Sequence, residues 1–228
     1  MDLQRNGFDR YTWTEAQNRG DEMSDKTHWE NVYSTKPTDS VSWFQPHAEK
    51  SLKLIKQLQF DQSAKILDVG GGASTLVDDL IKSGYNDIYV LDISSAALDV
   101  AQKRLDAKSK QVHWLVQDVT QLELPAHSID LWHDRAVFHF LTNNDDRKKY
   151  VSRVLNAVKP GGHVIISTFA EDGPEKCSGL NVQRYNSGSL HSEFGDPFTL
   201  LGHEKEMHHT PFGTEQSFIY CYCRVNND

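Results

Sequence analysis

Short apolar runs alternate with segments of helical periodicity through the middle of the chain. In the segment that follows the first run, Leu76, Val77, Leu80 and Ile81 share one helical face. Parallel strands joined by helices give this alternation, so we predict an α/β fold with a doubly wound sheet. We expect strands at 64–69, 87–91, 111–116, 129–133, 162–169, near 198–208 and near 215–225, and helices at 75–83, 94–107, 146–158 and near Ser189.

The segments on either side of this alternating core have a different character. Two helical stretches between His28 and Leu58 flank an aromatic turn at 41–46, and the first 25 residues are polar with little periodicity. We predict a flexible polar extension followed by one domain. The expected divisions are 1–25 for the extension and 26–228 for the domain, with a helical lid at 26–60, a nucleotide-binding core at 64–170, and an acceptor loop and final strands at 171–228.

A triple-glycine turn joins the first strand to the first core helix. The strand ends in Asp68, and Gly70, Gly71 and Gly72 lead into the helix. Because glycine lacks a Cβ, the backbone there can approach a ligand closely and adopt positive φ. The next strand ends in Asp92, whose carboxylate is placed to accept hydrogen bonds from both ribose hydroxyls. This order of strand, turn, helix, strand and acid predicts a nucleotide-binding unit.

The spacing of the glycines distinguishes two nucleotide classes. A dinucleotide fingerprint requires a third glycine where Thr75 stands, so a nicotinamide enzyme is the weaker alternative. The turn instead resembles motif I of the class I S-adenosylmethionine-dependent methyltransferases, which Asp68, Gly70 and Gly72 match, with Ser74 in place of the last glycine. The resemblance implies S-adenosylmethionine as cofactor. It also implies a Rossmann-like methyltransferase fold, with a seven-stranded, mostly parallel sheet and an antiparallel C-terminal hairpin.

Later segments extend the resemblance. The third and fourth strands run into acids that the family uses near the adenine and the sulfonium, and Val158–Gly162 is similar to its turn into the fifth strand. The segment from His28 to Tyr33, followed by Trp43, resembles the entry segment of thiopurine-type methyltransferases, whose aromatic rings help cover the cofactor. Alternatively, these rings only staple the lid to the domain. The implied cofactor residues are Trp29, Tyr33, Trp43, Asp68, Gly70, Gly71, Gly72, Asp92, Ile93, Asp118, Val119 and Asp134.

Residues for the methyl acceptor are harder to identify, because in-line methyl transfer depends on alignment and needs a base only when the nucleophile arrives protonated. The candidates are Arg135, His139, Cys177 and Arg184. For three of them a structural alternative stays open: Arg135 pairs with Asp134, His139 is a core histidine, and Cys177 is a buried thiol. We assign no catalytic residue from the sequence.

Composition and charge limit the classes of binding partner that we expect. The net charge of −8 comes without a stripe of lysines and arginines, so we expect neither bulk nucleic acid nor an anionic membrane as a partner. No apolar run approaches the roughly 20 residues that span a bilayer, and three cysteines without a framework indicate a reduced, cytoplasmic protein. Adjacent His208 and His209 point to opposite faces of a strand, and we predict no metal.

Together these patterns predict an S-adenosylmethionine-dependent methyltransferase acting on a small molecule with an oxygen, sulfur or nitrogen nucleophile. The expected lid is short, and nothing in the sequence indicates a peptide-docking domain. A protein lysine methyltransferase is the first alternative, and a non-catalytic S-adenosylmethionine-binding module is the second. The signature Asn or Asp followed by Pro-Pro-Tyr or Pro-Pro-Phe is absent after the fourth strand, where Asp134 to Phe140 stand, which argues against an adenine or glutamine acceptor.

Overall fold

A computed structural model describes residues 26–227, and the predicted extension at 1–25 lies outside this part. The strands are β1 (Lys65–Val69), β2 (Asp87–Asp92), β3 (Val112–Val116), β4 (Ile129–Arg135), β5 (Val158–Phe169), β6 (Lys176–Cys177), β7 (Leu180–Asn181), β8 (Phe198–His209) and β9 (Glu215–Val225). The helices are α1 (26–35), α2 (Glu49–Gln57), α3 (Leu76–Lys82), α4 (Ser95–Leu105), α5 (Asn144–Ala157) and α6 (Ser187–Phe194).

Seven strands form one sheet in the order β3-β2-β1-β4-β5-β9-β8. The first five strands pair in parallel, and β9 is antiparallel to both β5 and β8. This arrangement confirms the predicted methyltransferase-type fold. Chain order reverses between β1 and β4, so the crevice at their carboxyl ends is where such sheets bind ligands.

Helices cover both faces of the sheet. On one face α5 and α6 bury a cluster that includes Trp132 and Tyr150, and on the other α2, α3 and α4 pack over Ile66 and Val90. Consecutive residues of β1 alternate between the clusters, since Ile66 belongs to one and Leu67 to the other. Because both faces of these parallel strands are covered, successive residues are apolar, which explains the continuous apolar runs in the sequence.

Several boundaries differ from the sequence prediction, among them the starts of the fifth strand and of α5 and the end of β4, which reaches Arg135. The fifth strand begins at Val158, and the predicted turn up to Gly162 lies within it, where the register between Ile129 and Leu131 is irregular. Helix α5 begins at Asn144, two residues early, because the Asn143 side chain accepts the backbone N–H of Asp145 and caps the helix. The small β6–β7 hairpin was not predicted, because its strands have two residues each.

Tyr150→Phe tests the buried polar contact beneath β4. The Tyr150 hydroxyl accepts from Trp132 Nε1 at 2.8 Å and donates to Asp134 Oδ2 at 2.7 Å, with all three residues buried. Its removal leaves a buried indole N–H unpaired and takes one donor from a carboxylate, so we expect unfolding in urea to show a loss of about 1–3 kcal/mol. Tyr89→Phe, at a half-buried position of β2, is the matched control. Equal losses in the two variants would contradict this account.

Candidate active site

The glycine turn packs directly against two carboxylates. Gly70 has a φ of +65°, and a Cβ on Gly71 would lie 2.5 Å from Asp68 Oδ2. A Cβ on Gly72 would collide with Asp92 Oδ2. Glycine is therefore required at these positions by the conformation of the turn and by the acids that end β1 and β2.

A cavity of about 180 Å³ opens at the carboxyl ends of β1, β2 and β4, beside a smaller one of about 60 Å³. Both are lined by Tyr33, Trp43, Val69, Gly70 and Arg135. Of the residues predicted from sequence, the larger cavity is lined by Trp29, Tyr33, Trp43, Gly70, Asp92, Ile93, Asp118, Val119, Arg135 and Cys177, and the smaller one also by Asp68 and Gly71. Neither is lined by Gly72, Asp134, His139 or Arg184.

Asp92 and Asp68 are the buried charges of the site. The Ser94 backbone N–H donates to Asp92 Oδ1 at 2.9 Å. Burial raises the pKa of Asp92 to about 7, the hydrogen bonds from Ser94 and Gly72 oppose this, and the charges of Asp68 and Glu30 add to it. Asp68 Oδ1 accepts from His133 Nδ1 at 2.7 Å, whereas Oδ2 is buried without a partner. A ligand with a donor at Asp68 Oδ2 would satisfy this atom.

The acid after β3 is held by its own turn. Asp118 Oδ1 accepts the backbone N–H of Thr120 at 2.7 Å and the Thr120 hydroxyl at 2.9 Å. These bonds fix the turn that presents Val119 to the cavity. The predicted pair, Asp118 and Val119, therefore lies together at the end of the cavity that also contains Asp92.

Aromatic rings line another part of the cavity, which we call its aromatic end. Trp29 contacts Trp43 with ring centroids 5.6 Å apart and Phe140 at 5.2 Å, both edge-to-face. Trp43 Nε1 donates to the Tyr33 hydroxyl at 3.2 Å. The rings thus line the cavity and also hold α1 against the aromatic turn.

Glu30, which the sequence analysis did not identify, holds the lid on the core. Its carboxylate accepts the backbone N–H groups of Ser95 and Ala96 and the hydroxyls of Ser94 and Ser95, at 2.8–3.1 Å. These are the free donors of the first turn of α4, where the helix dipole also favours a negative charge. No local signal marks Glu30, because its partners lie 64–66 residues further along the chain.

Further polar contacts close the lid around the aromatic end. His28 Nε2 lies 3.1 Å from the Ser178 hydroxyl, in the turn between β6 and β7. The Thr75 hydroxyl donates to the Gln45 carbonyl at 3.0 Å, and His208 Nε2 donates to the Ser42 carbonyl at 2.7 Å. Thr75, which departs from the dinucleotide fingerprint, therefore anchors the aromatic turn.

The structural alternative proposed that Arg135 pairs with Asp134, but Arg135 pairs with Glu206. It donates to the Tyr220 hydroxyl at 3.1 Å, to the Trp43 carbonyl at 3.3 Å and to Glu206 Oε2 at 3.4 Å. Asp134 is fully buried behind the loop after β4, where its carboxylate accepts from Val137 N, Phe138 N and the Tyr150 hydroxyl. Its role in the structure is to fix this loop, since it lies outside both cavities.

The other acceptor candidates divide between core and surface. His139 is buried, and its Nδ1 accepts the Phe169 backbone N–H at 3.2 Å, so it is a core histidine, and burial lowers its pKa to about 3. Arg184 donates to the Gly173 carbonyl and to Glu175, away from the cavity. Cys177 lines the cavity as a free thiol whose pKa burial raises to about 12, although Arg135 partly opposes this.

Residues 26–227 contain no group of three or more histidines, cysteines or acids that could hold a metal ion. Within the same range, no helix is both long enough and apolar enough to cross a membrane. Cys221 and Cys223 are buried free thiols.

Comparison with known proteins finds a related domain. Residues 66–162 match a family model described as a methyltransferase domain. This central part of the chain is therefore similar to a methyltransferase domain. The cofactor is S-adenosylmethionine, the methyl donor that the resemblance implies. The partnerless Oδ2 of Asp68 and the glycines packed on Asp68 and Asp92 fit a ligand that carries an ammonium group and a ribose.

Individual relatives differ in what they methylate. The chain is 32% identical over 137 residues to the ubiquinone biosynthesis O-methyltransferase of Alkalilimnicola ehrlichii, covering 56% of this chain and 54% of that protein. It is 25% identical over 156 residues to the bovine (Bos taurus) eEF1A lysine and N-terminal methyltransferase, covering 66% of this chain and 22% of that protein. The chain thus spans from about a fifth to about half of the length of these two relatives.

A solved structure shows the same fold over nearly the whole chain. It is the Burkholderia thailandensis 1,6-didemethyltoxoflavin-N1-methyltransferase with S-adenosylhomocysteine and 1,6-didemethyltoxoflavin bound. The TM-score is 0.64 at 16% identity, with 99% of this chain and 94% of that chain covered.

Glu30→Gln tests the attachment of the lid. Loss of the negative charge weakens the bonds to the first turn of α4, and charge-assisted hydrogen bonds of this kind contribute about 1.5–3 kcal/mol. We expect faster hydrogen–deuterium exchange in α1 and the aromatic turn, with exchange in β1 and β4 unchanged. Glu49→Gln, in the exposed first turn of α2, is the control and should leave exchange in α1 unaltered. If α1 exchanges equally in the two variants, Glu30 does not hold the lid.

Proposed function

We propose that this protein transfers a methyl group from S-adenosylmethionine to a small molecule that offers an oxygen, sulfur or nitrogen nucleophile. The observation that carries the proposal is the aromatic end of the cavity. It adjoins the glycine turn and is covered by α1 on one side and by the β6–β7 hairpin on the other, joined through His28 and Ser178. An enclosed site of this kind suits a compact acceptor and keeps water from the activated methyl.

We assign different residues of the two cavities to different parts of the cofactor. In our assignment Asp92 accepts hydrogen bonds from the ribose, with Ile93 beside it, and Asp118 with Val119 holds the adenine. Asp68, through its free Oδ2, accepts from the amino group in the smaller cavity. The cofactor supplies a methyl group activated on a sulfonium.

The protein's contribution at the acceptor end is orientation. Trp29, Trp43 and Phe140 supply flat apolar surfaces against which an acceptor can pack. Two of the candidate bases do not exchange protons near neutral pH, because burial raises the pKa of Cys177 to about 12 and lowers that of His139 to about 3. We infer that the acceptor arrives with a free lone pair and that the enzyme acts by alignment.

A protein lysine acceptor is the second candidate, and one comparison favours it. The chain is 20% identical to the human EEF1A lysine methyltransferase 2 over 193 residues, which cover 78% of this chain and 76% of that protein. An aromatic end can also surround a lysine side chain. Arg135 at that end opposes it, because a lysine ammonium would lie near a guanidinium.

Asp92→Asn tests the cofactor assignment through pH. The ribose hydroxyls donate to the ionised carboxylate, so with a pKa of about 7 the affinity for S-adenosylhomocysteine should rise roughly tenfold between pH 6 and 8. The variant should bind more weakly and independently of pH, as isothermal titration would show. Asp87→Asn, at the other end of β2, is the control. A pH dependence that persists in Asp92→Asn would overturn the assignment.

The same raised pKa has a consequence for the ligand-free protein. An acid whose folded pKa lies above its unfolded value of about 3.9 binds its proton more tightly when folded. Its contribution to stability is fully present below pH 3.9 and is lost as the pH rises through about 7. The wild type should therefore lose more stability than Asp92→Asn between pH 5 and 8, measured by urea unfolding.

The acceptor class is decided by one parallel assay. The protein is incubated with methyl-labelled cofactor and either a panel of small thiols, amines and phenols or a protein lysate. Turnover on the panel without a labelled protein band supports the proposal, whereas a labelled band with no turnover on the panel supports a protein acceptor. Tight binding of S-adenosylhomocysteine without transfer in either arm would indicate a non-catalytic binding module.

A further inference from the structure

Arg135 places a guanidinium at the acceptor end of the cavity. The described lining has one other cationic side chain, Lys149, which pairs with Asp146 at 2.9 Å. Arg135 follows Asp134 at the end of β4 and lies between the two cavities, with only 11% of its side chain exposed. A charge that is largely removed from water lowers stability unless it is paired, so its partners decide what it can do.

The guanidinium is held in place but not saturated. Three N–H groups donate to the Tyr220 hydroxyl, the Trp43 carbonyl and Glu206, and the ring of Phe218 lies 4.3 Å from its central carbon. A guanidinium has five N–H groups, so two stay available for a ligand. The contacts fix the plane of the group, and a ligand meets a preorganised donor pair.

Glu206 offsets the charge only in part. It meets Arg135 through one oxygen at 3.4 Å, whereas a bidentate pair would make two bonds at about 2.7–2.9 Å. The same oxygen also accepts from the Tyr220 hydroxyl at 3.2 Å, and the other accepts from Gln45 at 3.3 Å. Burial lowers the pKa of His139 and His208, so neither adds positive charge near neutral pH, and it raises that of Cys177, which adds no negative charge.

We propose that Arg135 binds a carboxylate of the methyl acceptor, so that the acceptor is a small anionic molecule with an aromatic or apolar body. This inference rests on the proposed function. The body packs on the rings of Trp29, Trp43 and Phe140, and the carboxylate takes the two remaining N–H groups of Arg135. An ammonium-bearing acceptor is disfavoured in the same place by repulsion from the guanidinium.

The probe reaction needs no proton transfer. With a mercaptobenzoate, the thiolate sulfur donates a lone pair to the methyl carbon. The bond from that carbon to the cofactor sulfur breaks, and its electron pair stays on that sulfur. The thiolate and the sulfonium lose their charges together, and the product is a thioether that still carries the unchanged carboxylate.

The experiment compares acids with a neutral thiol of the same shape. The 2-, 3- and 4-mercaptobenzoates and benzenethiol are assayed with the full chain for S-adenosylhomocysteine formation. Their binding to the S-adenosylhomocysteine complex is measured by titration, which is informative even where turnover is slow. We expect at least one acid to exceed benzenethiol in kcat/KM and in affinity by about tenfold or more, the effect of one charge-assisted contact.

Three variants separate acceptor binding from folding. Arg135→Gln should lower kcat/KM for the preferred acid about 10- to 100-fold with little change for benzenethiol, and Arg135→Lys should retain part of the preference. Glu206→Gln removes the competing carboxylate and should increase the preference for the acid over benzenethiol. Thermal unfolding and S-adenosylhomocysteine affinity of each variant report folding and the cofactor site.

Two results would overturn the inference: no preference of the wild type for any acid, or an equal loss on acid and neutral thiol in a folded Arg135→Gln. Failure of the wild type to bind S-adenosylhomocysteine would instead remove the proposed function itself.

Discussion

Two carboxylates buried beneath a glycine turn are the constraint on which the rest of the site depends. Burying a carboxylate lowers stability unless hydrogen bonds or charges offset it. Asp92 is served by backbone donors of Ser94 and Gly72, whereas Asp68 has His133 on one oxygen and nothing on the other. The turn tolerates both acids because its residues have no Cβ. The fold thus maintains two acceptors that a bound ligand can satisfy more fully than the protein does.

The partner of Asp68 connects the cofactor end to the acceptor end. His133 Nε2 lies 2.9 Å from the Ser51 hydroxyl, which is 3.4 Å from the Tyr220 hydroxyl, and Tyr220 contacts Arg135 and Glu206. These contacts bring together α2, β4, β9 and β8. A shift of Arg135 would disturb this chain of partners, so the contacts hold its guanidinium in position. Such support is what precise alignment of a nucleophile requires.

The sequence predicts those features of the fold and site that are marked by residues close together in the chain. The strands, the glycine turn and the acids Asp68, Asp92 and Asp118 are marked by residues within a few positions of one another. The predicted sheet is confirmed, and the three acids line the cavities. Asp134 fits the same pattern by sequence, but its carboxylate points into the loop after β4. Glu30 and the pairing of Arg135 with Glu206 depend on partners 64–66 and 71 residues away, and no periodicity or motif reveals contacts of that range.

The residues proposed for the cofactor and those proposed for the acceptor also come from different parts of the chain. The part of the chain that matches the methyltransferase model, residues 66–162, contains the acids and glycines of the cofactor end. The elements that close the acceptor end lie largely outside it: α1 and the aromatic turn before it, and the β6–β7 hairpin, β8 and β9 after it. Arg135 and Phe140 come from within it. Similar proteins include a ubiquinone biosynthesis O-methyltransferase and an eEF1A lysine and N-terminal methyltransferase, so similarity to such a core does not by itself fix the acceptor.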